Sequence, residues 1–176
     1  MRENRKILSP KDISSKITRI SHEIIEHHND LSNLVLLGIH NRGVPIAGRL
    51  RDLILDFTKI EVQLGSLDIT FHRDDFRERL TMPEIKGTDI AFDLSDKVII
   101  LVDDVLYSGR TIRAALDEII SFGRPSIIRL AVLVDRGHRE LPIRPDYIGK
   151  NIPTEYDQKI KVNLMEVDSN DSVVLL

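Results

Sequence analysis

The stretch Val98-Ile-Ile-Leu-Val-Asp-Asp-Val-Leu-Tyr-Ser-Gly-Arg-Thr111 limits what this chain can fold into more than any other. Val98 to Val102 is an unbroken aliphatic run, the pattern of a strand buried on both faces of a parallel sheet. Two adjacent carboxylates, Asp103 and Asp104, follow it, and then a turn with Ser108, Gly109 and Thr111. Beyond the turn, Ile112, Ala115, Leu116, Ile119 and Ile120 fall on one apolar stripe and predict a helix. A small-residue loop at a helix N-terminus offers backbone N–H groups and the positive end of the helix dipole, a cradle for phosphate. The acids stand at the carboxyl end of the strand, where open α/β sheets take ligands. A carboxylate only accepts hydrogen bonds, so beside a phosphate it suits sugar hydroxyls. The local chemistry points to a ligand carrying both a phosphate and a ribose.

Two other phosphate motifs are absent from this stretch. A dinucleotide turn needs G-x-G-x-x-G, and a P-loop needs Gly-Lys-Ser/Thr. An acidic strand end in an unrelated α/β domain is the alternative reading of the same residues.

The rest of the chain frames this unit. Ser9-Pro10 reads as an N-cap followed by proline in the first turn, and Ile13, Ile17, Ile20 and Ile24 recur at helical spacing to about His28. Leu34 to Ile39 reads as a buried strand. It ends at Gly38-Ile-His-Asn-Arg-Gly43, and a helix is predicted from about Val44 to Ile54. This second glycine-bracketed loop can hold a second phosphate, with Arg42 as a fork for its oxygens. A plain turn with a surface arginine fits the loop equally well. Ile60, Val62 and Leu64 alternate with polar residues like a strand with one wetter face. Phe71 to about Ser95 is long, charged and without a period. Arg73, Asp74, Asp75, Arg77 and Arg79 make it a candidate closing loop, or a solvated charged one. Ile127 to Val134 and Ile160 to Val167 read as two further strands, and Asp135 to Pro153 shows no clear period. Strands alternating with helices predict a parallel α/β sheet.

At 176 residues the simplest organisation is a single domain, residues 1–176. The sequence contains no cysteine, which excludes a disulfide framework and a cysteine-based zinc site. There is no long apolar run, and Met1-Arg-Glu-Asn-Arg-Lys6 has no apolar stretch behind it, so a soluble cytoplasmic protein is expected. A net charge of −3 argues against a general nucleic-acid coat while permitting a local basic face.

The stretch Val98–Thr111 resembles the phosphoribosyl-pyrophosphate (PRPP) motif of the type I phosphoribosyltransferases: apolar run, two acids, four variable positions, then glycine and threonine in their places. Gly38–Gly43 occupies the place of that family's pyrophosphate loop. Asp135-Arg-Gly-His-Arg-Glu-Leu-Pro142, Gly149-Lys-Asn-Ile-Pro153 and Phe71-His-Arg-Asp-Asp-Phe76 resemble one subfamily, the bifunctional pyrimidine-operon attenuators with uracil phosphoribosyltransferase activity. The chain departs from the commonest pattern at His40-Asn-Arg-Gly43, where Thr-Arg-Gly is frequent, and at Ser108, where threonine is commoner.

The resemblance implies an α/β type I phosphoribosyltransferase fold: a central, mostly parallel sheet flanked by helices, with a small hood from the terminal segments and about residues 135–160. It implies the reaction uracil + PRPP → UMP + pyrophosphate, with Mg2+ held mainly through PRPP. Asp103, Asp104 and Arg42 are the expected catalytic residues. Asn41, Arg42, Asp103, Asp104, Val105, Leu106, Tyr107, Ser108, Gly109, Arg110 and Thr111 are expected to bind PRPP or nucleotide. Val134, Asp135 and Arg136 are expected to frame the base, and Arg73, Asp74 and Asp75 to belong to the flexible loop. The resemblance also implies a UMP- or UTP-responsive regulator, a homodimer or higher homo-oligomer, that binds the leader mRNA of a pyrimidine operon and favours transcription termination. Thr18, Arg19, His22, Arg139, Arg144 and Lys150 are the expected RNA contacts. Two alternatives are a phosphoribosyltransferase for another base, such as hypoxanthine or orotate, and a non-catalytic nucleotide sensor.

Overall fold

A computed structural model of the chain describes residues 5–70 and 86–176. Strands β2 (Leu34–Ile39), β3 (Gln63–Leu67), β4 (Val98–Leu106), β5 (Ile127–Asp135) and β6 (Tyr147–Asn151) form a five-stranded sheet in the order β3-β2-β4-β5-β6. Every pairing in it is parallel. In chain order β3 adds outside β2 and β4 on its other side, so the order reverses next to β2 and β4. Such a reversal opens a crevice at the carboxyl ends of the strands.

The parallel sheet is buried on both faces. Leu36, Ile100, Val102, Ala131 and Leu133 pack with helices α1 (Pro10–His27) and α2 (Gly43–Thr58). Their neighbours Leu37, Ile99, Leu101, Leu130 and Val132 pack with α3 (Arg110–Phe122) on the opposite face. Adjacent residues on each strand thus go to opposite layers, which is why these strands read as continuous apolar runs. Helix α1 begins in a capping box: Ser9 Oγ accepts the Asp12 N–H at 3.2 Å and Asp12 Oδ2 accepts the Ser9 N–H at 2.8 Å.

A second, antiparallel sheet in the order β1-β8-β7 joins the two ends of the chain through β1 (Arg5–Leu8), β7 (Ile160–Asn163) and β8 (Ser172–Leu175). The short helix α4 (Met165–Asp168) lies between β7 and β8. The expected hood is therefore corrected in its extent. Of residues 135–160, Tyr147–Asn151 completes the main sheet as β6 and only Ile160 enters the small one.

Several boundaries differ from the sequence expectation. Helix α2 runs on to Thr58, and β3 begins at Gln63 rather than Ile60. Strand β6 lay in a segment without a readable period. Its centre is Gly149, where an added Cβ would lie 2.4 Å from the Leu133 carbonyl oxygen. Close approach of β5 requires glycine there, and glycine removes the side chain that would have marked the strand. Among the described residues no helix is long and apolar enough to cross a membrane.

Candidate active site

Strand β4 continues past its apolar run and carries Asp103 and Asp104 to the carboxyl edge of the sheet. Asp103 is buried, with 6% of its surface exposed. Its Oδ1 accepts the Asp104 N–H at 2.9 Å, and Asp104 Oδ1 accepts the Val105 N–H at 2.8 Å. Burial pushes the Asp104 carboxyl above the ordinary carboxylate range. The Val105 N–H, Asp103 and the Arg42 guanidinium oppose that shift.

Gly109, at φ +93°, turns the chain into α3, a conformation that side chains avoid. Ser108 Oγ accepts the Arg110 N–H at 3.3 Å, and the Arg113 N–H closes the first helical turn on the Gly109 carbonyl at 2.9 Å. Thr111 is half-buried in that turn.

The loop is fixed from behind. The Leu106 carbonyl accepts the Arg136 N–H at 3.1 Å. The Ser108 carbonyl accepts the N–H groups of Glu140 and Leu141 at 2.9 and 3.1 Å. The Tyr107 carbonyl accepts Arg139 Nη1 at 2.9 Å. In a trans peptide the N–H points opposite to the carbonyl of the preceding residue. With these three carbonyls turned to segment 136–141, the N–H groups of Tyr107, Ser108 and Gly109 point the other way, as a phosphate cradle requires. Sequence reasoning missed this backing, because a hydrogen bond to a carbonyl leaves no side-chain signature.

Arg139 is the centre of that backing. It also donates to Asp135 Oδ2 at 2.5 Å and, through Nε, to the Ile143 carbonyl at 2.9 Å. Arg139, an expected RNA contact, has its guanidinium engaged by acceptors inside the protein.

The second loop meets the first through Gly43. A Cβ on Gly43 would lie 2.3 Å from the Val102 carbonyl oxygen, so only glycine lets the start of α2 approach β4 this closely. The His40–Asn41 peptide bond is cis, and Asn41 is exposed. Arg42 is half-buried and near enough to Asp104 for that carboxylate to help hold its charge. Its guanidinium is paired with Asp168 of α4. The structure thus brings Asn41, Arg42, Asp103, Asp104 and residues 105–111 to one edge of the sheet. Arg73, Asp74 and Asp75 lie outside the described residues.

Beside the phosphate loop is a cleft of about 420 Å³ lined by Asp135, Arg136, Gly137, His138, Asn151, Pro153 and Thr154. Arg136 is 7% exposed. Its guanidinium carbon stands 3.9 Å from the centre of the Tyr107 ring, and it donates to Thr154 Oγ1 at 3.1 Å and the Gln158 carbonyl at 2.8 Å. Asp135 and Arg136 therefore line a cleft beside the turn that follows β4. The Val134 side chain is fully buried in the hydrophobic core and does not line the cleft.

The expected RNA contacts fall into separate places. Thr18, Arg19 and His22 lie on α1. Arg19 pairs with Glu23 and donates to the carbonyls of Ile148 and Gly149 at 2.8 and 2.7 Å, which puts it next to the exposed Lys150. His22 stacks on Phe57, ring centres 4.3 Å apart. Arg144 is exposed and borders a small pocket with Ile112 and Leu116 of α3, on the other face of the sheet.

A model of the phosphoribosyl transferase domain family matches residues 4–170. A Clostridioides difficile protein described as "Bifunctional protein PyrR" is 53% identical over 175 residues, covering 99% of both chains. A Deinococcus radiodurans protein of the same description is 54% identical over 169 residues, covering 96% of this chain and 92% of its own. Among solved structures, the hypoxanthine phosphoribosyltransferase of Trypanosoma cruzi matches with a TM-score of 0.73 at 15% identity over 98% of this chain and 95% of that one. A hypoxanthine-guanine phosphoribosyltransferase of Bacillus anthracis matches with a TM-score of 0.74 at 17% identity over 99% of each. At these identities the solved structures share the fold.

Proposed function

The chain belongs to the phosphoribosyltransferase family and, within it, to the bifunctional PyrR proteins, and from that premise we propose how its site works: it transfers the phosphoribosyl group of PRPP to uracil, and nucleotide in the same site governs its hold on a pyrimidine-operon leader RNA. The observation that carries the catalytic reading is the phosphate loop of residues 106–109. Its carbonyls are fixed on segment 136–141, with Asp103 and Asp104 on one side and the cleft of Asp135 and Arg136 on the other.

In the reaction the bond from uracil N1 to the ribose anomeric carbon forms as the bond to pyrophosphate oxygen breaks, and the N1 proton leaves. The transition state is loose, with positive charge on the ribose ring and negative charge on pyrophosphate. Such a reaction needs positioning and electrostatics and no covalent nucleophile. Backbone N–H groups of the loop, with the Ser108 and Thr111 hydroxyls, hold the 5-phosphate. Asp103 and Asp104 accept hydrogen bonds from the ribose hydroxyls, and their charge offsets that of the ring. Arg42 takes the charge of the departing pyrophosphate. Asp135 and Arg136 border the base.

The family generally uses Mg2+ with PRPP. Asp103 and Asp104 supply oxygen donors of the kind Mg2+ takes, beside an ion held chiefly by PRPP. Bound there, Mg2+ would neutralise pyrophosphate charge. If Asp104→Asn keeps full uracil-dependent pyrophosphate release, the role given to that carboxylate is wrong. The expected loss is about a hundredfold.

For the regulatory arm, Arg19 beside Lys150, with Thr18 and His22 on the same helix and Arg144 on the far side of edge strand β6, are the groups that would meet RNA on a homodimer or higher assembly in the cytoplasm. UMP or UTP would favour the RNA-binding state. Binding of leader RNA at fixed salt, with and without UMP, tests this. UMP should tighten it, and the salt dependence should be modest for a chain of net charge −3. A salt slope implying about ten or more phosphate contacts would contradict so small a basic patch.

A further inference from the structure

Arg42 stands in the loop assigned to pyrophosphate, yet a carboxylate already occupies its guanidinium. Nε donates to Asp168 Oδ2 at 3.1 Å and Nη2 to Asp168 Oδ1 at 2.7 Å. The two side chains are 26% and 19% exposed. Asp168 is itself held in place: its Oδ2 accepts the Leu164 N–H at 2.9 Å, and its own N–H donates to the Leu164 carbonyl at 2.7 Å.

The segment bearing Asp168 is fixed to α2 by a second arginine. Arg49 follows Arg42 by seven positions, about two helical turns, so both side chains leave one face of α2. Arg49 takes Glu166 through Nε and Nη2 at 2.8 and 2.7 Å, and Asp171 through Nη1 and Nη2 at 2.9 and 2.8 Å. Arg49 thus fastens the segment on both sides of Asp168, which delivers that carboxylate to Arg42.

Arg49 holds two carboxylates by using both of its edges, but a single edge, such as the Nε/Nη2 edge of Arg42 that meets Asp168, serves one carboxylate or one phosphoryl group at a time, and it is for this edge that two anions compete. We propose that Asp168 is a positioning residue that holds Arg42 at the pyrophosphate loop and competes with pyrophosphate for it, so that product release exchanges one anion for another. The proposal rests on the reading of Arg42 as the pyrophosphate partner. Asp168 keeps Arg42 from turning onto Asp104, which also attracts it. As pyrophosphate leaves, Asp168 takes the guanidinium back, so the half-buried cation is never left bare.

Product inhibition by pyrophosphate tests the exchange. In Asp168→Asn the competing charge is gone, and the inhibition constant for pyrophosphate should fall about three- to tenfold while the melting temperature falls. A merely structural Asp168 would give the opposite sign, looser pyrophosphate binding together with lower stability. Asp168→Ser is a second neutral variant should the asparagine protein fail to fold, and Asp168→Glu, which keeps the anion, should restore a near-parental constant. Asp171→Asn cuts the Arg49 clamp alone and should lower stability without tightening pyrophosphate. An unchanged or raised inhibition constant in the neutral variants overturns the proposal. Arg42→Gln separates the two layers. If it leaves pyrophosphate inhibition unchanged, the assignment of Arg42 itself fails. If it weakens pyrophosphate but the neutral variants do not tighten it, only the competition fails.

Discussion

The two loops at the carboxyl edge of the sheet are built in opposite ways. The loop of residues 106–109 is backed along its length: three consecutive carbonyls are taken by segment 136–141, and Arg139 ties that segment to Asp135 and Ile143. The loop of residues 40–43 meets β4 through a single glycine, and its one long side chain is held by an ion pair to α4. A loop that grips a group common to substrate and product gains from rigidity. A loop that must release a leaving group gains from a partner it can exchange. The 5-phosphate stays on PRPP and UMP alike, whereas pyrophosphate departs, and under the proposed assignment of the two loops their difference follows that chemistry.

The largest expected effect is at Asp104, between the two loops. Asp104→Asn should lower uracil-dependent pyrophosphate release about a hundredfold while raising thermal stability at neutral pH. The sign of the second effect follows from burial, which lifts the folded-state pKa of Asp104 above its unfolded value. Such a group favours the folded state at low pH and opposes it once pH rises through the folded pKa. The stability gain of the asparagine variant should therefore fade as pH falls through that titration. Thermal melts of both proteins across pH would show it.

Next in size is the exchangeable loop. Arg42→Gln should raise the KM for PRPP and the inhibition constant of pyrophosphate about thirtyfold, as expected for a charged hydrogen bond lost from a half-buried site. UMP affinity should hardly change, since UMP carries no pyrophosphate, and titrations of both ligands would check the contrast.

The rigid loop should respond differently. Arg139→Gln removes the side-chain part of its backing, the bond to the Tyr107 carbonyl and the ties to Asp135 and Ile143, and should weaken PRPP and UMP together, about tenfold each, with a lower melting temperature. Arg139→Lys should not rescue it, because an ammonium cannot serve acceptors fixed around a planar fork. Near-parental UMP binding in Arg139→Lys would show that charge, not geometry, is what this residue supplies.

The smallest effect lies away from both loops. His28 Nε2 and His27 Nδ1 approach the hydroxyl of buried Tyr147 at 3.1 and 3.3 Å. Burial is the main cause that pushes the His28 imidazole below its ordinary range, with Arg129 and His27 adding to it. A histidine held neutral in the folded state loses stability as pH falls and the unfolded chain takes up the proton. His28→Gln should flatten the acid limb of the stability curve slightly and leave pyrophosphate release unchanged.

Much of this was legible in the sequence where burial is two-sided. Leu34–Ile39, Val98–Val102 and Ile127–Val134 are strands because both faces meet helices, and α1 starts at the Ser9-Pro10 signal. Three of the edge and terminal strands were not legible. Tyr147–Asn151 is centred on a glycine, while Arg5–Leu8 and Ser172–Leu175 are four residues each and acquire meaning only by pairing with one another. The phosphate loop and its acids were visible as residue types in order. The segment behind the loop was not, because all but one of its bonds run from backbone to backbone. Arg139 and Arg42 illustrate the same limit: their presence is read from the sequence, but the acceptors that occupy them are set by tertiary packing.

The measurement that most directly tests the central claim is pyrophosphate release from PRPP and Mg2+ with uracil, hypoxanthine, guanine or orotate as the only base, for the parental protein and Asp104→Asn. The account predicts release with uracil, little with the others, and about a hundredfold loss in the variant. Release with a purine or orotate instead of uracil, or release indifferent to Asp104, would contradict it.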